Sequence, residues 1–185
     1  MRLTIDPEKG SGPESQIVTS TVDPGVRSVV IAASGNPFPP GRYIIRAEVT
    51  PKAGRLPVQV STAAIVPPEA ADVGTGLLAL RRGPSTGLAY IATADPRFRR
   101  TERLRVEVPL AAADYAGTAR LLTRTGQPMP LVATYTTRVD AATSVTFGVA
   151  DIVLAPLAEG DYVLEVTLTK GGKSEVVAYG FRIVP

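Results

Sequence analysis

Hydrophobic and polar side chains alternate over much of this chain with a period of two residues. In the segment RYIIRAEVT at 42–50, the apolar Tyr43, Ile45 and Ala47 share one parity. In RLRVEVPL at 103–110, apolar residues again occupy every second position. A period of two places the apolar side chains on one face of a β-strand. The pattern therefore predicts an almost wholly β protein.

One segment occurs twice. Residues 40–67 read PGRYIIRAEVTPKAGRLPVQVSTAAIVP, and residues 159–185 read EGDYVLEVTLTKGGKSEVVAYGFRIVP. Each copy contains a Gly-x-Tyr, an alternating strand, a turn and a closing strand. In the second copy Gly171-Gly172 predicts a tight hairpin, because glycine readily adopts the positive φ angles of such turns. The duplication predicts two units built in the same way.

A tyrosine at the start of a strand, followed by a hairpin and a last strand, resembles the tyrosine corner of immunoglobulin-like β-sandwiches. The tyrosines are Tyr43 and Tyr162, and we expect each to be buried with its hydroxyl bonded to nearby backbone. The position two residues later, a cysteine in antibody domains, is Ile45 in one copy and Leu164 in the other. The resemblance therefore implies disulfide-free units held by apolar packing.

We predict two tandem immunoglobulin-like antiparallel β-sandwich units joined by a short linker. The first is small and short of a full sandwich, at 1–67; the linker covers 68–84; a seven-stranded unit covers 85–185. The strands of the first unit are expected near 2–6, 16–22, 26–33, 42–50 and 56–66. Those of the second are expected at 87–94, 101–110, 117–124, 131–138 and 144–154, followed by the last two of the repeat.

Two local features lie outside this simple strand pattern. The apolar stretch at 77–80 favours a partly ordered linker, with an extra edge strand as the alternative. The apolar parity of Val145, Phe147 and Val149 reverses at the next apolar residues, which predicts a bulge near Ala150-Asp151.

Composition removes several kinds of chemistry. The 185 residues include no cysteine, which excludes disulfides, thiolate metal sites and a cysteine nucleophile. They include no histidine, the commonest general base and zinc ligand. Twenty basic and seventeen acidic residues give a net charge of +3, less than is usual for a dedicated nucleic-acid binder. We expect no enzymatic activity, no cofactor, no metal and no nucleic acid.

No apolar run is long enough to cross a membrane, and the first residues do not form a signal peptide. We therefore expect no membrane insertion. An export signal could have lain upstream if the chain is a mature fragment.

A second resemblance concerns the later part of the chain. RGPSTGLAYIATADPRFRRTERLRVEVPL at 82–110 and LAPLAEGDYVLEVTL at 154–168 are similar to the C-terminal region of bacterial secreted proteins described as von Willebrand factor type A related. The first unit matches more loosely, from Gly41 onward. Such proteins carry an upstream adhesion-type metal domain with an Asp-x-Ser-x-Ser signature, which this chain lacks. The resemblance implies an accessory β region and export to the periplasm, the cell surface or the medium.

The densest charge cluster is the candidate binding face. It contains an aromatic residue, Phe98, and could contact phosphates or acidic glycans. Its members are Arg97, Arg99, Arg100, Arg103 and Arg105. The alternative is a solvated strand face, because Arg103, Arg105 and Glu107 alternate with apolar residues.

Three acidic residues, Asp151, Glu159 and Asp161, lie near one another in sequence and could do acid and base work. Asp151 or Asp161 could also bind calcium, although the dense Asp/Asn spacing of a calcium loop is missing. Turn chemistry explains them better, because acidic residues beside glycine are ordinary loop formers.

We therefore expect a non-enzymatic accessory or interaction module of an exported bacterial protein. It would bind a protein of unknown identity or space out other domains. The alternative is a carbohydrate-binding sandwich that uses the arginines and Tyr90. The pattern does not define an oligomeric state.

Overall fold

Strands form nearly all of the regular structure in the computed structural model, which describes residues 1–8, 15–23, 38–51, 55–66, 76–141 and 144–185. Within those ranges the one helical segment is a 3-10 turn at Pro84–Thr86. The prediction of an almost wholly β protein is confirmed. Contacts divide the chain into two units, Met1–Ala71 and Asp72–Pro185.

The first unit contains one antiparallel sheet with the order β2-β1-β3-β4. Its strands are β1 (Arg2–Pro7), β2 (Gln16–Thr19), β3 (Gly41–Val49) and β4 (Val58–Val66). Four of the five expected strands are therefore present. The fifth, expected at 26–33, lies outside the described residues.

The alternation of β3 sets one face of this sheet. Tyr43 is buried. In the pairing of β1 with β3, Ile45 lies opposite Ile5 and Ala47 lies opposite Leu3. Directly opposed residues project to the same side of a sheet, so these apolar side chains form one continuous surface.

The second unit contains two five-stranded sheets. Its strands are β5 (Leu78–Arg82), β6 (Ile91–Ala92), β7 (Arg97–Arg99), β8 (Arg103–Leu110), β9 (Ala116–Thr123), β10 (Pro128–Val132), β11 (Thr134–Val139), β12 (Thr146–Val153), β13 (Gly160–Lys170) and β14 (Lys173–Val184). The β8 sheet has the order β11-β12-β8-β5-β6, and the β13 sheet has the order β10-β9-β13-β14-β7. Neighbouring strands are antiparallel except β7, which runs parallel to β14.

One apolar core lies between these two sheets. Leu104 and Val106 project into it from β8, and Leu164, Val166 and Leu168 project into it from β13. Each of these side chains is at most 1% exposed. Burial of one such side chain contributes about 1.5–3 kcal/mol before the loss of chain entropy is counted. The predicted alternation of both strands is confirmed.

The second unit begins earlier than predicted. Leu78–Arg82, expected in the linker at 68–84, pairs with β8, and Ala79 is buried in the core. The part of the linker at 68–75 lies outside the described residues. The strand expected at 87–94 shrinks to Ile91–Ala92, because the preceding residues form a loop.

The described part of the second unit has ten strands where seven were expected. The single strand expected at 131–138 is divided between β10 and β11, which belong to different sheets. The short β7 was missed because three residues do not show a periodicity.

No register shift interrupts the pairing of β12 with β8 or with β11. The bulge predicted near Ala150-Asp151 is therefore wrong. Ala150 faces the core, while Phe147 and Val149 lie on the outer face of the β8 sheet. There the guanidinium of Arg138 lies 4.7 Å from the centroid of the Phe147 ring. The apolar parity changes because apolar residues also occupy this outer face, where Arg138 lies over Phe147, and a hydropathy pattern does not show such a contact.

Candidate functional site

The five arginines of the predicted binding face do not share one surface. Arg97 and Arg99 flank the fully buried Phe98 in β7, so both project outward from the β13 sheet. Arg103 and Arg105 lie in β8 and project outward from the β8 sheet. The chain crosses from one sheet to the other between the two pairs, so the expectation of a single face is wrong.

The crossing between the sheets has its own structural contacts. Nε and Nη2 of Arg100 donate to the carbonyl oxygen of Ala155 at 3.0 and 2.7 Å. The buried Glu102 accepts a hydrogen bond from the backbone N–H of Arg99 at 2.7 Å and pairs with Arg81 at 3.3 Å. Arg100 therefore supports the fold at this crossing.

Arg97 is also paired. The backbone N–H and the Nε–H of Arg97 donate to Oδ1 of Asp95 at 3.1 and 2.9 Å. Hydrogen bonding from the Arg97 side chain lowers the pKa of Asp95 to about 2, although burial acts in the opposite direction. The positive charge of Arg97 is thus largely compensated by Asp95.

Arg105, Asp151 and Tyr90 form one cluster on the outer face of the β8 sheet. Arg105 lies opposite Asp151, and its Nε and Nη2 donate to Oδ2 at 3.0 and 2.7 Å. The hydroxyl of Tyr90 donates to the same oxygen at 2.5 Å. Tyr90 directly precedes β6, and Asp151 belongs to β12. Two strands, β8 and β5, separate β12 from β6, so the Tyr90 side chain lies across the face of the sheet.

The ring of Tyr90 is stacked against Arg105, whose guanidinium carbon lies 3.7 Å from the ring centroid. Burial raises the pKa of the Tyr90 phenol, and the hydrogen bond to Asp151 raises it further. The charges of Arg105 and Arg103 act in the opposite direction. The phenol therefore stays protonated at neutral pH and keeps its hydrogen bond to the carboxylate.

Beside this cluster, Arg82 lies directly opposite Arg103 in the pairing of β5 with β8, and both side chains project outward. Nε of Arg82 donates to the carbonyl oxygen of Leu88 at 2.6 Å. Arg103 is exposed, and its guanidinium makes no hydrogen bond or ion pair with any described residue. These two side chains are named the Arg82–Arg103 patch.

The loop before β6 is fixed beside the patch. A Cβ at Gly83 would lie 2.8 Å from Cγ of Glu102, so a larger residue where the loop begins would displace the Glu102 side chain. Leu88 is 61% exposed and has a φ of 63°, a left-handed conformation that is strained for leucine. Its N–H donates to the Gly83 carbonyl at 3.1 Å, and its own carbonyl accepts from Arg82. Hydrogen bonds therefore hold an exposed apolar residue next to the patch.

The other end of the outer face is neutralised. Glu107 was expected on the solvated side, but it is 1% exposed because Arg138 covers it. Nε of Arg138 donates to Oε1 of Glu107 at 2.9 Å, and Asp140 lies 3.4 Å from the same guanidinium. The uncompensated positive charge of this face is thus concentrated at the Arg82–Arg103 patch.

Tyr43 and Tyr162 make the same contact in their two units. The hydroxyl of Tyr43 donates to the carbonyl oxygen of Pro39 at 2.7 Å, and that of Tyr162 donates to Ala158 at 3.0 Å. In both cases the acceptor lies four residues earlier in the chain. Each hydrogen bond ties the start of a strand to the backbone of the segment before it.

The acidic residues considered for catalysis do not share one surface. Asp151 projects outward from the β8 sheet, whereas Asp161 projects outward from the β13 sheet and pairs with Arg182. Glu159 is exposed before β13. Among the described residues, no three His, Cys, Asp or Glu side chains form a group that could hold a metal ion.

No helix in the described ranges is long and apolar enough to cross a membrane.

Sequence reasoning missed Arg82. The residue lies in the segment interpreted as a linker, and only the pairing of β5 with β8 places it beside Arg103. The available signal was the pair Arg81-Arg82 directly after an apolar run, which is typical of a strand that ends at a protein surface.

A scan against protein-family models and a search of curated proteins both find no match to this chain. Function is therefore inferred from the contacts of the described residues.

Proposed function

We propose that this chain is a non-enzymatic interaction module of an exported bacterial protein, and that its second unit is an immunoglobulin-like β-sandwich. The strand order supports the second part of the proposal. The run β5-β8-β12-β11 follows the A-B-E-D order of such sandwiches, and β9-β13-β14 follows the C-F-G order. Tyr162, near the start of β13, occupies the position of the tyrosine corner.

The first unit is proposed to be a smaller member of the same class. The support is the repeated contact of Tyr43 with the carbonyl four residues earlier, followed by a hairpin of β3 and β4. Export is proposed from the resemblance of 82–110 and 154–168 to secreted proteins.

The Arg82–Arg103 patch is the observation that carries the interaction role. Like charges directly opposite each other on neighbouring strands lower the stability of a sheet. Arg82 nevertheless lies opposite Arg103, and no described acidic side chain pairs with Arg103. A partner that supplies negative charge would offset the repulsion between the two opposed arginines.

Affinity capture tests the proposal. The tagged full chain is incubated with an envelope extract of the source bacterium, in parallel with Arg103→Glu and with Arg124→Glu as a control. Arg124 is exposed in the turn after β9, so its reversal changes the net charge equally. We expect a protein that the wild type and Arg124→Glu retain and that Arg103→Glu loses. Equal retention by all three chains, or no retained protein, counts against the proposal.

A carbohydrate-binding module is the second candidate, favoured by the exposed Arg103, whose guanidinium can bind the carboxylate of an acidic sugar. A glycan array with neutral and acidic saccharides tests this candidate. Signal that Arg103→Gln abolishes would support it, and signal at background would remove it.

A further inference from the structure

We infer that the Arg82–Arg103 patch is a carboxylate site that takes an aspartate or glutamate side chain from an otherwise apolar segment of a partner protein. The inference rests on the proposed interaction role and adds the chemistry that the partner must present.

The charge balance of the face identifies an anion as the ligand. Asp151 is occupied by Arg105 and Tyr90 through three hydrogen bonds. Glu107 is occupied by Arg138. Within the described part of the chain, these contacts leave two guanidinium groups of the same face without an acidic partner.

The spacing suits a carboxylate. Directly opposed residues of antiparallel strands have Cβ atoms about 5 Å apart, so Arg82 and Arg103 can direct their guanidinium groups at one small anion. A planar guanidinium matches the two oxygens of a carboxylate and can donate two parallel hydrogen bonds to it.

One of the two side chains is already held in place. Nε of Arg82 donates to Leu88, and its guanidinium carbon lies 5.7 Å from the centroid of the Tyr90 ring. Its terminal amino groups are not used in that hydrogen bond. Fixing a long side chain before binding reduces the entropy lost when the ligand arrives.

Apolar residues flank the patch and favour a protein segment over other anions. Val153 lies opposite Arg103 on β12 and is 40% exposed. On the other side is the loop with Leu88, which is 61% exposed. A sugar acid would gain most from an open aromatic face, but Arg105 already covers the Tyr90 ring at 3.7 Å. A nucleic acid would need a longer track of cations with open aromatic faces.

Arginine side-chain NMR of the full chain provides the test. The probe is a capped peptide Leu-Val-Glu-Val-Leu, and its control is the same peptide with glutamine in place of glutamate. We expect millimolar Glu peptide to shift the Nε–Hε signals of Arg82 and Arg103 in a saturable way. The Gln peptide should bind up to about fivefold more weakly, because loss of an exposed ion pair costs up to roughly that factor. Added salt should weaken the Glu peptide further.

Variants separate the patch from general charge. Arg103→Gln should weaken the Glu peptide about fivefold, and Arg124→Gln should leave its affinity unchanged. Arg103→Gln leaves the Arg82–Leu88 hydrogen bond in place. Unchanged backbone amide signals from the β13 sheet verify that the variant is folded. The comparison of the Glu and Gln peptides uses the wild-type chain alone, so it tests the inference even if Arg103→Gln does not fold.

Several results would overturn the inference. They are equal shifts with the Glu and Gln peptides, no shift at Arg82 and Arg103, or tighter binding of inorganic phosphate or of an oligohexuronate than of the Glu peptide. If the peptide fails while affinity capture still retains a protein, the interaction role stands and the carboxylate chemistry falls. If capture fails as well, both fall.

Discussion

The ring of Tyr135 occupies the space above Gly117, so that a Cβ at residue 117 would lie 2.2 Å from Cζ of the tyrosine. A Cβ at Gly148 would lie 2.8 Å from the tyrosine hydroxyl oxygen. Tyr135 belongs to β11 of the β8 sheet, and Gly117 belongs to β9 of the β13 sheet. The two glycines thus allow one aromatic ring to pack between the sheets at an edge of the second unit.

We predict that Gly117→Ala lowers the free energy of unfolding by about 1–3 kcal/mol, because the ring must move to admit the methyl group. Gly180→Ala in β14 is the matched control, since a Cβ there meets nothing within 4 Å. Urea unfolding followed by circular dichroism measures both variants.

A double-mutant cycle assigns that loss to the contact. In a Tyr135→Ala background the space above residue 117 is empty, so the cost of Gly117→Ala should fall close to that of Gly180→Ala. An equal cost of Gly117→Ala in both backgrounds would show that the tyrosine ring is not its cause.

Removal of two hydroxyl groups should stabilise the second unit. The hydroxyls of Tyr135 and Tyr179 are buried and have no hydrogen-bond partner among the described residues. A buried polar atom without a partner costs about 1–3 kcal/mol, so Tyr135→Phe and Tyr179→Phe should each raise the free energy of unfolding by about 1 kcal/mol.

The same substitutions should change the alkaline behaviour. Burial raises the pKa of both phenols above the ordinary value of 10.0. The unfolded chain therefore loses these protons first, and the wild type loses stability as the pH rises above 10. The Phe variants lack this loss, so their advantage in urea unfolding should grow with alkaline pH. A constant or shrinking advantage would contradict the assignment of the raised pKa values.

The parts of the fold that the sequence predicts are those set by neighbours along the chain. The alternation of β13 and its hairpin at Gly171-Gly172 are local, and the structure pairs Lys170 with Lys173 around glycines with φ of 57° and 80°. Positive φ angles at both positions favour glycine over any residue with a Cβ. The strand and its turn could therefore be predicted without knowledge of the rest of the unit.

The candidate site could not be predicted as a unit because it depends on pairing between distant segments. Arg103 was identified, but Arg82 approaches it only because β5 adds to the edge of β8. The separation of Arg97 from Arg105 likewise depends on the crossing between sheets at Arg100, where the charge pattern is continuous. Sequence spacing measures neither sheet membership nor the direction of a side chain relative to the core.

The two tyrosine contacts allow the independence of the units to be measured. Tyr162→Phe removes the hydrogen bond to Ala158 and should cost about 1 kcal/mol, as should Tyr43→Phe for the bond to Pro39. Hydrogen exchange read by mass spectrometry should show faster exchange in β13 and β14 for Tyr162→Phe, and in β3 and β4 for Tyr43→Phe. If either variant speeds exchange in both units, the two units do not unfold independently.

Acid should weaken the second unit through Asp95. Hydrogen bonding from Arg97 lowers the pKa of this carboxyl from 3.8 to about 2, so the folded state favours the charged form. The resulting stability is present above pH 3.8 and is lost as the pH falls toward 2. Urea unfolding at neutral pH, near pH 3.8 and near pH 2 should show the wild type losing its advantage over Asp95→Asn in that window. Arg97→Gln keeps the Asp95 carboxylate but removes the largest cause of its lowered pKa. The free energy of unfolding of this variant should therefore fall less between pH 3.8 and pH 2 than that of the wild type. A difference between wild type and Asp95→Asn that stays constant over the whole range would contradict the role of this ion pair.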